Sequence, residues 1–188
     1  LLRKAGAEGT VLLRNDNVLP LKNDDVLSVF GRVQFDYMYV GYGSGGDVIK
    51  PYTVNLIQGL ENSKINYNKD LASVYENWCK KNPPDHGFWG HWPHYYEEMP
   101  ITTDDIKKAA EKSTCAAVVI GRSAGEDREN HLTEGSYYLT EAEKSLISRV
   151  SEAFEKTVII LNTGSIMDMS WEKEILKNKC AVMYVWQS

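Results

Sequence analysis

Cys115-Ala-Ala-Val-Val-Ile-Gly121 is a continuous apolar run, and Val158-Ile-Ile-Leu-Asn162 repeats the pattern further along the chain. Short runs of this kind are typical of strands buried on both faces of a parallel sheet. Between them, Thr140 is followed three residues later by Glu143, the spacing of a capping box that opens a helix. Strand, helix and strand in this order predict two parallel strands joined by a right-handed crossover.

The same alternation extends outward in both directions. We predict further buried strands at Val26–Phe30 and Ala181–Trp186. The predicted helices are Leu1–Arg14, Pro51 to about Asn62, Lys69–Lys81, a short helix capped by Thr102 and Thr103, and one near Trp171–Lys177. Residues 1–188 are thus predicted to form one three-layer α/β/α sandwich with a mainly parallel, flavodoxin-like sheet and an aromatic-rich insertion at about 83–100.

The sequence has no predicted helix after the last strand, which ends at Trp186. The outward face of a parallel sheet needs a helix to cover it. We therefore expect a domain truncated at its C-terminal end, either a fragment of a longer protein or a chain completed by another polypeptide.

Composition excludes some classes of partner. The net charge of −5 argues against nucleic acid, because a protein that grips phosphates needs a basic surface. No stretch approaches the roughly 20 apolar residues of a membrane span. The chain has three cysteines, an odd number, and two of them lie in strand-like runs. Buried thiols of this kind favour a reducing compartment, so we expect a cytoplasmic location.

Gly41-Tyr-Gly-Ser-Gly-Gly46 has the glycine spacing of a dinucleotide-binding turn. That turn must follow a strand directly, whereas the predicted strand ends at Phe30, so a nucleotide-binding flavodoxin-like domain is the weaker interpretation. A loop that lines a cleft fits better, with Ser44 and Asp47 able to reach a polar ligand. A glycine-rich surface turn is the alternative.

An aromatic segment carries histidines at positions 86, 91 and 94. Three imidazoles could bind zinc, but the segment lacks a helical context that would fix the rings, and we predict no metal or other cofactor. Trp89 and Trp92 suit the apolar faces of sugar rings. A satellite cluster folded over the domain is the alternative interpretation.

The loop from Arg122 to Thr140 follows a predicted strand, and the carboxyl ends of parallel strands are where such sheets bind ligands. Glu126, between Gly125 and Asp127, is its best candidate for a working acid. A general acid near neutral pH needs a raised pKa, which burial supplies and neighbouring arginines oppose. By spacing alone, a solvated cluster of charges formed by Glu126, Asp127 and Glu129 is the favoured interpretation.

Several motifs in one order resemble the second domain of glycoside hydrolase family 3, the β-glucosidase family. They cover nearly the whole chain: Ala7–Asn15, Val18–Leu21, Val29–Arg32, Gly43–Gly46, Val118–Arg128, Gly135–Thr140, Val158–Gly164 and Val185–Gln187. The resemblance implies part of a retaining hydrolase that acts on a β-linked oligosaccharide or an aryl glucoside through two carboxyl groups.

The resemblance also implies residue roles. Glu126 would be the general acid/base, and Ser44 would approach the sugar hydroxyls. Our further candidates for substrate binding are Asp47, Arg122, Trp89 and Trp92. The attacking Asp would belong to a companion (β/α)8-type barrel domain, which this chain does not contain. We therefore expect the fragment alone to be inactive.

The acid loop departs from the family pattern in one respect. Glu126 directly precedes Asp127-Arg128, whereas the usual pattern has two residues between the acid and this pair. This leaves Glu129 and Glu134 as alternative acids. It also leaves open a non-catalytic sugar-binding or interdomain module.

Overall fold

The computed structural model describes residues 1–46, 48–49, 51–126 and 130–187. Its centre is a five-stranded sheet made of β1 (Val11–Asn15), β2 (Leu27–Phe30), β3 (Cys115–Arg122), β4 (Lys156–Thr163) and β5 (Lys179–Tyr184). The helices are α1 (Leu2–Gly9), α2 (Leu56–Asn62), α3 (Lys69–Lys81), α4 (Thr103–Glu111), α5 (Glu141–Ala153) and α6 (Trp171–Ile175), with a 3-10 turn at Arg32–Gln34.

The sheet order is β1-β5-β4-β3-β2. Strands β2 to β5 are parallel, and only β1 is antiparallel to its neighbour β5. From β2 to β5, each crossover leads to the neighbouring strand in the same direction across the sheet. Right-handed connections therefore place most of the helices on one face. The predicted α/β sandwich with a mainly parallel sheet is confirmed.

The two faces of the sheet carry separate cores. On β3 the alternation is complete, since Ala116, Val118 and Ile120 face the larger core and the residues between them face the smaller one. Helices α3 to α6 contribute to the larger core, through side chains such as Ile147 and Trp171. On the opposite face α2 packs Ile57 and Leu60 over β2 and β3, and a third small core forms around Val18, Val158 and Ala181.

Helix termini follow local capping chemistry. The box predicted between Thr140 and Glu143 is present, with each side chain accepting a backbone N–H of the other residue. Thr102 caps α4, as expected. Helix α2 begins at Leu56 rather than at Pro51, because Asn55 and Gln58 form a capping box there.

The N-terminal segment corrects one prediction. The helix expected over Leu1–Arg14 ends at Gly9, and Val11–Asn15 forms β1 along β5. On this strand Val11, Leu12 and Leu13 remain 43–51% exposed. Pairing with a distant strand overrides local periodicity here. As a result β5 is not an edge of the sheet.

Among the residues that the structure describes, we find no helix with the length and apolar character needed to span a lipid bilayer.

Candidate active site

A cleft of about 620 Å³ opens beside the carboxyl edge of the sheet, where the parallel strands end. One wall is the chain that follows β2, including Asp36, Tyr39 and Tyr42, and the other is the aromatic segment. Ser123, directly after β3, also lines the cleft. The position agrees with the general rule for ligand sites in open parallel sheets.

The glycine-rich loop and the acid loop pair with each other through their backbones. The Tyr42 N–H donates to the Ala124 carbonyl at 2.9 Å, and the Glu126 N–H donates to the Tyr42 carbonyl at 3.0 Å. Gly125 is required at this bridge because a Cβ there would overlap the Tyr42 backbone. The two loops therefore form one unit, which we call the paired loops (residues 41–46 and 123–126).

Within the paired loops, Ser44 holds the Glu126 side chain. The Ser44 N–H donates to Glu126 Oε2 at 2.8 Å, and the Ser44 hydroxyl donates to the same oxygen in a very short hydrogen bond. Gly43, at φ 102°, lies so close that a Cβ on it would overlap the Cβ of Glu126. The candidate acid thus lies against a residue that lines the cleft.

The electrostatic environment of Glu126 favours its ionised form. Its carboxylate is exposed, and the hydrogen bonds from the Ser44 hydroxyl and N–H lower its pKa below the ordinary value. Burial raises the pKa of Glu126 and hydrogen-bond donors lower it, and in this chain the lowering effect is the larger. Its source is the pair of hydrogen bonds from Ser44.

Aromatic side chains support the paired loops from the cleft side. Tyr42 stacks on Trp92 with ring centroids 5.2 Å apart and planes 5° from parallel, and its hydroxyl lies 3.2 Å from that of Tyr96. Trp89 touches Trp92 edge-on but is itself 72% exposed. Ser123 anchors the aromatic segment by donating its N–H to the His94 carbonyl at 2.8 Å. Trp89 therefore has an accessible face, whereas one face of Trp92 is occupied by Tyr42.

Arg122 lies in the interior and not in the cleft, contrary to the expectation that it contacts sugar. It is 1% exposed, and both of its terminal nitrogens donate to the Glu143 carboxylate at 2.7 Å. Its remaining hydrogen bonds go to backbone carbonyls, including those of Ser136 and Tyr138. A strand-end arginine turns inward here because the capping residue of α5 offers it a buried carboxylate. Its role is to join β3 to α5.

A charged cluster beside the cleft, which includes the cleft residue Asp36, was not predicted from the sequence. The Arg32 guanidinium donates to Asp36 Oδ2 at 2.8 and 3.0 Å and lies 5.0 Å from the Trp78 ring centre. Glu98 accepts N–H groups from Arg32 and Met99. Burial raises the pKa of Glu98 to about 7, although these N–H donors oppose the rise. An arginine directly after a buried strand and its glycine was the only sequence signal of this cluster.

Asn162, at the carboxyl end of β4, was also missed. Its side chain accepts the Met38 N–H at 2.7 Å and donates to the carbonyls of Met38 and Trp186 at 2.8 and 2.6 Å. It therefore fixes the cleft wall after β2 against the segment after β5. Its position at a strand end was the available signal.

Other predicted site residues do not converge on Glu126 or are not described. Asp47 and Glu129 lie outside the described residues. Glu134 is exposed and lies 4.0 Å from Lys144 at the start of α5. In the described part of the chain no group of three or more His, Cys, Asp or Glu side chains could hold a metal ion. His86 contacts Tyr96, whereas His94 contacts His131.

Known proteins are similar to this chain in sequence. Residues 10–188 match the family model of the glycosyl hydrolase family 3 C-terminal domain. A β-glucosidase of Ruminococcus albus is 43% identical over 98% of this chain. Beta-glucosidase A of Butyrivibrio fibrisolvens is 32% identical, also over 98% of this chain. The chain spans only 19% and 24% of the lengths of these two relatives.

Solved structures share the fold. A β-glucosidase from Paenibacillus barengoltzii superposes with a TM-score of 0.92 at 43% identity, over 98% of this chain and 21% of that one. Beta-glucosidase 3B of Thermotoga neapolitana, solved with glucose, gives 0.84 at 32% identity, over 98% of this chain and 26% of that one. Sequence and fold lead to the same group, and this chain belongs to the glycosyl hydrolase family 3 C-terminal domain family.

Proposed function

We propose that this chain is the α/β domain of a retaining β-glucosidase-like enzyme and that it supplies the general acid/base, Glu126. One observation carries the proposal: the Glu126 carboxylate is held by a loop of the facing wall at the edge of an aromatic-lined cleft. The 30–43% identity to β-glucosidases over nearly the whole chain supports it.

In the proposed reaction two carboxyl groups divide the chemistry. An ionised carboxylate on the companion barrel attacks the anomeric carbon, while protonated Glu126 gives its proton to the leaving oxygen. Ionised Glu126 then takes a proton from water, which attacks the anomeric carbon from the face that the leaving group occupied and displaces the nucleophile carboxylate. Retention requires the two carboxyl groups to lie about 5–5.5 Å apart. The domain that carries the nucleophile must therefore approach the paired loops closely.

The companion domain also explains how Glu126 becomes protonated. In this chain Ser44 lowers its pKa, which is the wrong direction for an acid. A nucleophile carboxylate about 5 Å away disfavours a second negative charge and raises the pKa of its neighbour. We accordingly propose that the domain alone hydrolyses no glycoside.

Trp89 is the proposed sugar platform of this domain. Its ring is largely exposed at the cleft, and indole faces stack on the apolar C–H faces of sugar rings. Asp47 remains a proposed sugar contact, whereas in this structure the Ser44 hydroxyl is directed to Glu126.

The acid role can be tested with leaving groups in the full-length enzyme. Glu126→Gln should reduce kcat/KM on an alkyl glucoside, a poor leaving group, by roughly 100-fold or more, because protonation is then needed for bond cleavage. The dinitrophenolate of a dinitrophenyl glucoside leaves without being protonated. Formation of the glycosyl-enzyme intermediate from this substrate should therefore be much less affected. Glu134→Gln serves as the matched control. A loss below about tenfold on the alkyl glucoside removes Glu126 from the acid role.

A second candidate is a sugar-binding or interdomain module without a catalytic residue. The exposed rings of Phe88 and Trp89 favour it, because exposed apolar side chains often mark binding surfaces. It predicts a mild Glu126→Gln phenotype on both substrates. It also predicts that Trp89→Ala raises KM for oligosaccharides and leaves kcat unchanged.

A further inference from the structure

We infer that Ser44 is a positioning residue for Glu126, one that holds the acid in place from the opposite wall of the site. This inference rests on the proposed acid/base role of Glu126. It goes beyond that role because it makes the Glu126 carboxylate, rather than a sugar hydroxyl, the functional partner of the Ser44 hydroxyl.

The hydrogen bonds are arranged so that one carboxylate oxygen is anchored and the other is left for chemistry. The N–H and the hydroxyl of Ser44 both donate to Oε2 of Glu126. Within the described part of the chain, no hydrogen bond reaches Oε1 of Glu126. A carboxyl group held in this way can carry and deliver its proton on Oε1 without losing its anchor.

Glu126 is exposed and follows Gly125, and within the described part of the chain the hydrogen bonds to its side chain come from Ser44. An unrestrained glutamate populates several rotamers, and ordering it at the moment of reaction costs free energy. Proton transfer also depends steeply on the position of the acid.

The anchor itself is rigidly placed. Ser44 lies two residues from Tyr42, whose backbone pairs with Ala124 and Glu126 and whose ring stacks on Trp92. The backbones of the two loops are therefore held together by contacts that do not involve the Ser44 hydroxyl. A substitution that removes only the hydroxyl should leave the paired loops in register.

Removing the hydroxyl should also change the protonation of Glu126 in a known direction. Donors to a carboxylate favour its ionised form, so their loss raises its pKa. The alkaline limb of a kcat/KM profile reports the acid in the free enzyme. In Ser44→Ala this limb should move to higher pH.

The test uses the full-length enzyme, with kcat, KM and pH profiles for an alkyl glucoside. Ser44→Ala should lower kcat by about tenfold with KM changed less than about twofold, and should shift the alkaline limb upward. Ser44→Thr, which keeps the hydroxyl, should recover most of the activity and the wild-type limb. Ser63→Ala, another exposed serine substitution, controls for the change of residue type. Ser44→Gly repeats the measurement if the alanine variant has a lower thermal midpoint.

A double-mutant cycle separates positioning from a sugar contact. Because Ser44 acts through Glu126, adding Ser44→Ala to Glu126→Gln should cost less than about twofold further. An independent tenfold loss in that background, a rise in KM alone, or an unmoved alkaline limb overturns the inference. If Glu126→Gln is itself nearly normal, the proposed function fails and this inference fails with it. If Glu126→Gln is impaired and Ser44→Ala matches the wild type, only this inference fails.

Discussion

Single residues at this site are defined by partners that lie far away in the sequence. Ser44 and Glu126 were both identified from the sequence, but their direct contact was not, because it depends on how two loops meet at the sheet edge. Arg122 was expected in the cleft, yet it pairs with Glu143 in the interior. The direction of a side chain at a strand end is set by tertiary neighbours that sequence spacing does not reveal.

Glu98 gives a residue-scale prediction about pH. Its pKa rises from an ordinary 4.5 to about 7 because the partly buried carboxylate loses hydration. The folded state therefore binds an extra proton between these values, and the free energy of unfolding should fall as pH rises from about 4.5 to about 7. The shift corresponds to at most about 3 kcal/mol.

Glu98→Gln should remove this part of the pH dependence, because glutamine stays neutral and keeps one carbonyl oxygen to accept the Arg32 and Met99 N–H groups. Denaturant unfolding at pH 5 and pH 8 measures the difference. Glu97→Gln, on the exposed neighbouring side chain, is the matched control. An unchanged pH slope in Glu98→Gln would show that Glu98 is not the group responsible.

At the scale of elements, prediction succeeded where the signal was local. Helix α3 was predicted with the bounds observed, and the cap of α5 was read directly from Thr140 and Glu143. The failure at β1 has a non-local cause, since Val11 pairs with Tyr184 at the other end of the chain. A local pattern of leucine and valine carries no information about such a partner.

Asn162 provides the element-scale prediction, because it ties β4 to the segments after β2 and β5. Asn162→Ala leaves the N–H and carbonyl of Met38 without their partners, and each buried unsatisfied group costs about 1–3 kcal/mol. We expect a loss of roughly 2–5 kcal/mol in the free energy of unfolding, measured in denaturant. The exposed Asn66→Ala should cost less than about 0.5 kcal/mol. Equal losses in the two variants would refute the structural role of Asn162.

At the scale of the whole molecule, the proposed function gives this chain one of the two carboxyl groups that the reaction needs. Its relatives are four to five times longer, and their names identify them as β-glucosidases. Family membership was recognisable from ordered motifs. In the paired loops, the side chains of Ser44 and Glu126 are exposed.

Azide rescue tests the central claim, that Glu126 is the acid/base, most directly. In Glu126→Ala of the full-length enzyme, a dinitrophenyl glucoside should form the glycosyl-enzyme intermediate, which then accumulates because no base activates water. Azide needs no base, so it should restore turnover and give a β-glucosyl azide. Rescue with this product in Glu126→Ala and not in Glu134→Ala is the predicted result. No rescue in Glu126→Ala, or rescue in Glu134→Ala instead, would contradict the account.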